Sequence, residues 1–252
     1  MLEVRHLTKK YGSFTAVRDL SLSVPAGELF GLLGPNGAGK STVMKIVAGL
    51  LRPTAGTVRV GGYDVVQQPT EAKALIGYLP EVPFLYERLT GQEFLRFIAD
   101  LFDVPADQAT QHARELIALF ELQDAINDRI QGYSRGMRQK LALIGVLLHR
   151  PRLLILDEPL TGLDPRSARV FKDLLRQLCQ EGTAVLLSTH ILEIAERLCD
   201  RVGIIDRGRL VACGTMAELQ AQSRQPDSSL EDLFLSLTGG AAVAELVDSL
   251  TD

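Results

Sequence analysis

The residues richest in chemistry are Gly34-Pro35-Asn36-Gly37-Ala38-Gly39-Lys40-Ser41-Thr42. Their spacing, G-x-x-x-x-G-K-S, is that of a phosphate-binding loop. Glycines let backbone N–H groups turn inward around phosphate oxygens with no Cβ in the way. A helix that follows such a loop adds unpaired N–H groups and the positive end of its dipole. Lys40 supplies a point charge for the β- and γ-phosphates, and Ser41 offers a hydroxyl to Mg²⁺. A chance glycine-rich turn would match these four positions on the order of once in a hundred sequences of this length.

A second chemical feature is Leu153-Leu154-Ile155-Leu156-Asp157-Glu158-Pro159. Four apolar residues deliver two carboxylates to what would be the C-terminal end of a strand, where parallel sheets place ligands. Asp157 suits Mg²⁺, directly or through water. Glu158, one residue further, can polarise an attacking water. Pro159 stops the strand. A polar strand end at a turn is the plainer reading, and the loop at 34–42 favours the catalytic one.

These groups need elements to hold them. The apolar run Leu29–Leu33 reads as a buried strand entering the loop, and residues 43–50 as the helix leaving it. Before them, residues 2–7, 14–17 and 19–24 read as short strands of a small antiparallel sheet, with a turn at 25–28. Residues 57–60 and 61–65 give a hairpin, and 76–80 a buried strand ending at Pro80. From 84 to about 150 strand signals vanish. Thr90-Gly91-Gln92-Glu93 resembles a capping start for a helix over 94–102. Ala109, Ala113, Leu116, Ile117 and Phe120 recur at helical spacing over 106–120, and 138–149 is a third helix. His149-Arg150 closes it, where positive charge suits the dipole.

Strands at 153–156, 184–188 and 201–205 then alternate with helices at 167–180 and 191–199. Unbroken apolar strands between helices indicate a parallel sheet covered on both faces. Residues 207–211 close a hairpin at its edge. A polar linker at 223–229 leads to helical segments at 230–237 and 241–250, which read either as a dimer- or partner-binding tail or as an exposed amphipathic end. The fold class is therefore α/β: a P-loop, RecA-like parallel-sheet core with an N-terminal antiparallel β subdomain and an inserted helical subdomain. The main domain is expected over 1–222 (β part and core 1–83, helical insert about 84–150, core 151–222), with 223–252 as the tail.

Composition sets limits. At 252 residues, 46% hydrophobic and 23% charged, the chain is of ordinary globular type and long enough for one large domain. A net charge of −4 argues against nucleic acid as the main partner. Cys179, Cys199 and Cys213 are scattered, with no disulfide or metal spacing, as befits a reducing cytosol. The longest apolar run, residues 141–148, falls short of the roughly 18 needed to cross a membrane. The N-terminus shows no signal-peptide pattern. A membrane role would need other chains to supply the spanning part.

Together these motifs resemble the ATP-binding subunit of an ABC transporter, over about residues 2–220. The resemblance implies ATP and Mg²⁺ as cofactors, with Asn36, Gly37, Ala38, Gly39, Lys40, Ser41 and Thr42 around the phosphates. Tyr11 stands where the family stacks an aromatic on adenine (an exposed hairpin tyrosine is the alternative), and Val17 is expected among the nucleotide contacts. Tyr78-Leu79-Pro80-Glu81 matches a loop that normally ends in Gln, so Glu81 is expected at Mg²⁺ or the water. Tyr133-Ser134-Arg135-Gly136-Met137-Arg138-Gln139 matches the family signature, with Ser134 and Gly136 retained and Tyr133, Arg135 and Met137 departing. Ser134 also reads as a plain N-cap. Thr161-Gly162-Leu163-Asp164 resembles the loop that crosses between subunits. His190, after Ser188-Thr189, stands at the γ-phosphate contact. Lys40, Glu158 and His190 are the catalytic expectation, and Ser41, Asp157 and Glu81 the metal one.

The resemblance further implies a head-to-tail pair of ATPase subunits, homodimeric or mixed. The loop of one and Ser134–Gly136 of the other would close on each nucleotide. Tyr78–Glu81, the departing signature and Leu230-Glu231-Asp232-Leu233-Phe234 are similar to ATPases of bacterial ABC-2-type exporters. These work at the cytoplasmic face of the membrane with a separate permease, docked between the helical insert and the core near residues 81–88 and the helix that begins at Phe94. A soluble ABC-type ATPase in a non-transport process is the alternative. A small-molecule P-loop kinase would leave Ser134, Gly136, Asp164 and His190 unexplained.

Overall fold

A computed structural model describes residues 1–223 and 229–238. In chain order the elements are β1 (Leu2–Tyr11), β2 (Phe14–Val24), β3 (Leu29–Leu33), α1 (Lys40–Val47), β4 (Ala55–Val60), β5 (Tyr63–Asp64), α2 (Pro69–Ala74) and β6 (Ile76–Leu79). Next come α3 (Gly91–Leu101), α4 (Ala106–Leu119), α5 (Arg135–Leu147), β7 (Leu153–Asp157), α6 (Pro165–Gln180), β8 (Ala184–Ser188), α7 (Leu192–Leu198), β9 (Arg201–Asp206), β10 (Arg209–Gly214), α8 (Met216–Ser223) and α9 (Leu230–Thr238).

Two sheets result. One is four-stranded and antiparallel, in the order β2-β1-β4-β5. The other has six strands in the order β10-β9-β3-β8-β7-β6, all parallel except β10. Strand alternation divides the interior. Phe30, Leu32, Leu153, Ile155, Ala184 and Leu186 face a core shared with α1 and the antiparallel sheet. Leu154, Leu156, Val185 and Leu187 face a second core built with α3, α4, α5 and α6. Residues buried on both faces explain why these strands read as unbroken apolar runs.

The helical insert forms as its pattern indicates. Thr90 caps α3 in a reciprocal box: its hydroxyl accepts from Glu93 N–H, and the Glu93 carboxylate accepts from Thr90 N–H. The tip of the β9–β10 hairpin ties the sheets together. Gly208 N–H donates to Ala38 O at 2.9 Å, and Gly208 O accepts from Arg18 N–H at 2.7 Å. With φ at +79° and Ala16 O only 2.6 Å from where a Cβ would stand, this position demands glycine.

Several expectations are corrected. Residues 14–24 form one strand, not two; Asp19 bends it at a positive φ of 49° while it stays paired to β1. Helix α2, whose N-cap has no side-chain bond, carried too weak a pattern to be foreseen. His149 lies past the end of α5, stacked on Phe102 with ring centres 3.7 Å apart, and donates from Nε2 to Ile76 O. Burial pushes its pKa down, which favours the neutral ring rather than a cation at the helix end. The first tail helix is not an exposed end: Leu230 and Leu233 of α9 are buried. The second, at 241–250, lies outside the described residues, as does most of the linker.

Candidate active site

The sheet order places β3, β8 and β7 side by side, so their carboxyl ends bring Gly34, Ser188 and Asp157 to one edge. A cleft of about 750 Å³ opens there, within the usual range for a small-molecule site. Asn36 to Thr42, Glu81, Asp157, Glu158, Thr161 and His190 line it, with Tyr11, Phe14 and Ala16 at one side. Six strands and the start of α1 thus converge residues that are far apart in sequence.

The loop is pressed against β9. A Cβ on Gly34 would meet Ile205 O at 2.3 Å, so only glycine lets the chain pass there. The Lys40 ammonium donates to Gly34 O at 2.5 Å and to Pro35 O at 3.1 Å. Burial lowers its pKa, and Glu158, Asp157 and Glu81 draw it back up.

Asp157 is almost fully buried. Ser188 Oγ–H donates to its Oδ1 at 2.5 Å, and the same Ser188 Oγ accepts from Glu158 N–H at 3.2 Å. One buried hydroxyl therefore fixes both acidic positions. Glu158 takes a left-handed φ of 51°, a strained geometry for a residue with a Cβ that costs about 1–3 kcal/mol. That turn aims its carboxylate at His190, whose Nδ1–H donates to Oε2 at 2.8 Å. Burial pushes the Glu158 pKa up, His190 and Lys40 pull it back, and Asp157 adds to the rise. A carboxyl so placed titrates above the usual range. The acid limb of kcat/KM is expected above that of an ordinary glutamate, because protonation removes the base. His190→Ala removes a lowering partner and should move the limb to still higher pH; a limb unmoved in a pH–rate profile contradicts the pairing.

Hard oxygen donors suit Mg²⁺. Ser41 and Asp157 share the cleft, and Glu81 stands in it as well. Among the described residues no group of three or more His, Cys, Asp or Glu forms a metal cage.

Val17 does not reach the cleft. It is wholly buried beneath it, and Ala16 and Phe14 line the wall instead. Irregular pairing between β1 and β2 breaks simple alternation here, so Ala16 and Val17 are buried in succession. Phe14 was legible only as the residue opposite Tyr11 across the hairpin.

Ser134, Gly136 and Asp164 stand outside this cleft. Ser134 caps α5, accepting from Met137 N–H at 3.2 Å. Asp164 caps α6 through Ser167, and pairs with Lys140 at 3.1 Å. Hydrogen bonds from Ser167, then Lys140, hold its carboxyl well below the usual range. Buried Gln139 Nε2 donates to Pro159 O at 2.9 Å, and Arg135 lies across Gly162. The signature helix is thus fastened to the loop that follows Glu158.

A phosphate loop, an acidic strand end and a histidine on one sheet edge define a P-loop nucleoside-triphosphatase. The family model described as ABC transporter matches residues 17–161, more than half of the chain. Over 219 residues the chain is 39% identical to the linearmycin resistance ATP-binding protein LnrL of Bacillus subtilis, covering 87% of this chain and 70% of that one. Over 220 residues it is 44% identical to the daunorubicin/doxorubicin resistance ATP-binding protein DrrA of Streptomyces peucetius, covering 87% and 67%. A solved structure of the ATP binding subunit of an ABC transporter superposes with a TM-score of 0.91 at 34% identity, covering 94% of this chain and 99% of that one. The chain belongs to the ABC transporter family and is an ATPase of that family.

Proposed function

We propose that this chain is the ATP-hydrolysing subunit of an exporter, working as a pair at the cytoplasmic face of the membrane beside a separate permease. Lys40 and the loop N–H groups hold the β- and γ-phosphates. Ser41 and Asp157 would hold Mg²⁺, which supplies charge neutralisation at the phosphates. Glu158 orients and deprotonates water, and His190 steadies both Glu158 and the γ-phosphate. Tyr11 stacks on the base. Ser134 and Gly136 act on the partner's nucleotide, since they do not line their own subunit's cleft.

The observation that carries the transport reading is a groove of about 460 Å³ between the helical insert and the core. Leu79, Phe84, Tyr86, Phe94, Phe97 and Leu101 line it, and Phe84 is 84% exposed. Phe84, Tyr86 and Phe97 stand edge to face in a row. A contiguous exposed apolar surface of this kind marks a docking site. No helix among the described residues is long and apolar enough to cross a membrane. Copurification from native membranes tests this. A polytopic membrane protein is expected with the parent and is expected to be lost with Phe84→Asp, while the ATPase rate of the isolated chain stays within about twofold. Recovery of soluble partners alone would assign the chain to a non-transport process.

A further inference from the structure

The third and smallest core has no part in the reading above. It comprises Leu33, Ala195, Val202, Ile204, Leu219, Leu230 and Leu233, with Leu192, Met216 and Phe234 packed against it. Its members sit next to the chemistry. Leu33 immediately precedes Gly34, and Leu192 and Ala195 lie on α7, two and five residues after His190. Two of its seven fully buried side chains, Leu230 and Leu233, come from α9, which packs on both α7 and α8.

Helix α7 needs such support. It has seven residues and no side-chain cap at its N-terminus. A helix that short is not stable by itself in water. His190 is two-thirds exposed, and its hydrogen bond to Glu158 is the contact that fixes its ring. Its position therefore depends on the backbone from Thr189 to Ile191, which α7 anchors. By contrast α9 is locally well specified. Ser229 and Asp232 cap it reciprocally: Ser229 N–H donates to Asp232 Oδ2 at 2.9 Å, and Asp232 N–H to Ser229 Oγ at 3.2 Å. The segment Leu230-Glu231-Asp232-Leu233-Phe234 thus presents two leucines to the core from a prebuilt turn.

We propose that α9 is a positioning element for His190: by closing the core beneath α7, Leu230 and Leu233 hold the histidine against Glu158. This rests on the assignment of His190 to hydrolysis. Loss of the Leu233 side chain would open a cavity next to Ala195 and let α7 tilt, and a misplacement of about 1 Å in a catalytic group can cost about a hundredfold in rate.

The test uses the full chain as Leu233→Ala, Leu233→Met, His190→Ala and the double variant Leu233→Ala/His190→Ala. Each is assayed for kcat and KM with Mg-ATP and for backbone amide exchange. Leu233→Ala should lower kcat by about tenfold to a hundredfold with KM within about threefold, and Leu233→Met should restore most of it. In the His190→Ala background the same change should alter kcat less than about twofold, because the two act as a unit. Amides over 190–199 should exchange at least about tenfold faster in Leu233→Ala, with β6 and β7 unchanged. Losses that multiply in the double variant, or exchange raised evenly through the chain, overturn the proposal. If His190→Ala itself keeps parental kcat, the role of His190 falls instead, and exchange over 190–199 still decides whether α9 braces α7.

Discussion

Glu158→Gln is expected to stop turnover while leaving ATP bound. The amide keeps the size of the carboxylate and can still contact His190, but it cannot take a proton from water. Losing a general base costs about 10²–10⁴ in rate, or roughly 3–5 kcal/mol of transition-state stabilisation. Binding groups are untouched: Lys40 still reaches the loop carbonyls, and Asp157 keeps its bond from Ser188. Single-turnover assays should show the lost chemistry, and size-exclusion in Mg-ATP should show an ATP-bound pair that persists. Removing a carboxylate from beside Asp157 and Glu81 should also ease closure around nucleotide. A variant that hydrolyses at the parental rate would show that Glu158 is not the base.

The second large effect is on concentration dependence. Ser134 and Gly136 are placed at the start of α5, away from their own cleft. On the proposed function, a lone subunit holds nucleotide but lacks the groups that close over it. ATPase rate is expected to rise with the square of enzyme concentration below the pairing constant and linearly above it, as mass action requires. Stopped assays across nanomolar to micromolar protein measure this directly. A specific rate constant down to nanomolar protein would mean that one chain completes its own site.

Much of this was legible because its signals are local. The phosphate loop, the Asp157-Glu158 strand end and the Thr90 capping box are each set within a few residues. The two-sided burial of β7 and β8 shows as an apolar run. What escaped depends on distant partners or irregular pairing. Val17 turned inward because the β1–β2 pairing slips, which no alternation pattern records. The His149 pKa is pushed down by burial, with Phe102 from the end of another helix stacked on its ring. The docking of α9 required Leu33 and Ala195, which belong to elements far earlier in the chain. The role of Ser188 was hidden for a similar reason: its two acidic contacts, Asp157 and Glu158, lie 31 and 30 positions away.

The glycine at the tip of the β9–β10 hairpin has a mechanical consequence. Through one residue, Gly208, the phosphate loop at Ala38 and strand β2 at Arg18, which carries the Phe14 and Ala16 wall of the cleft, are bonded to the same hairpin tip. Loop and wall therefore form one bracket, set by backbone bonds before any ligand arrives, so little ordering entropy is lost there on binding. Any motion that parts the loop from that wall must first break both bonds.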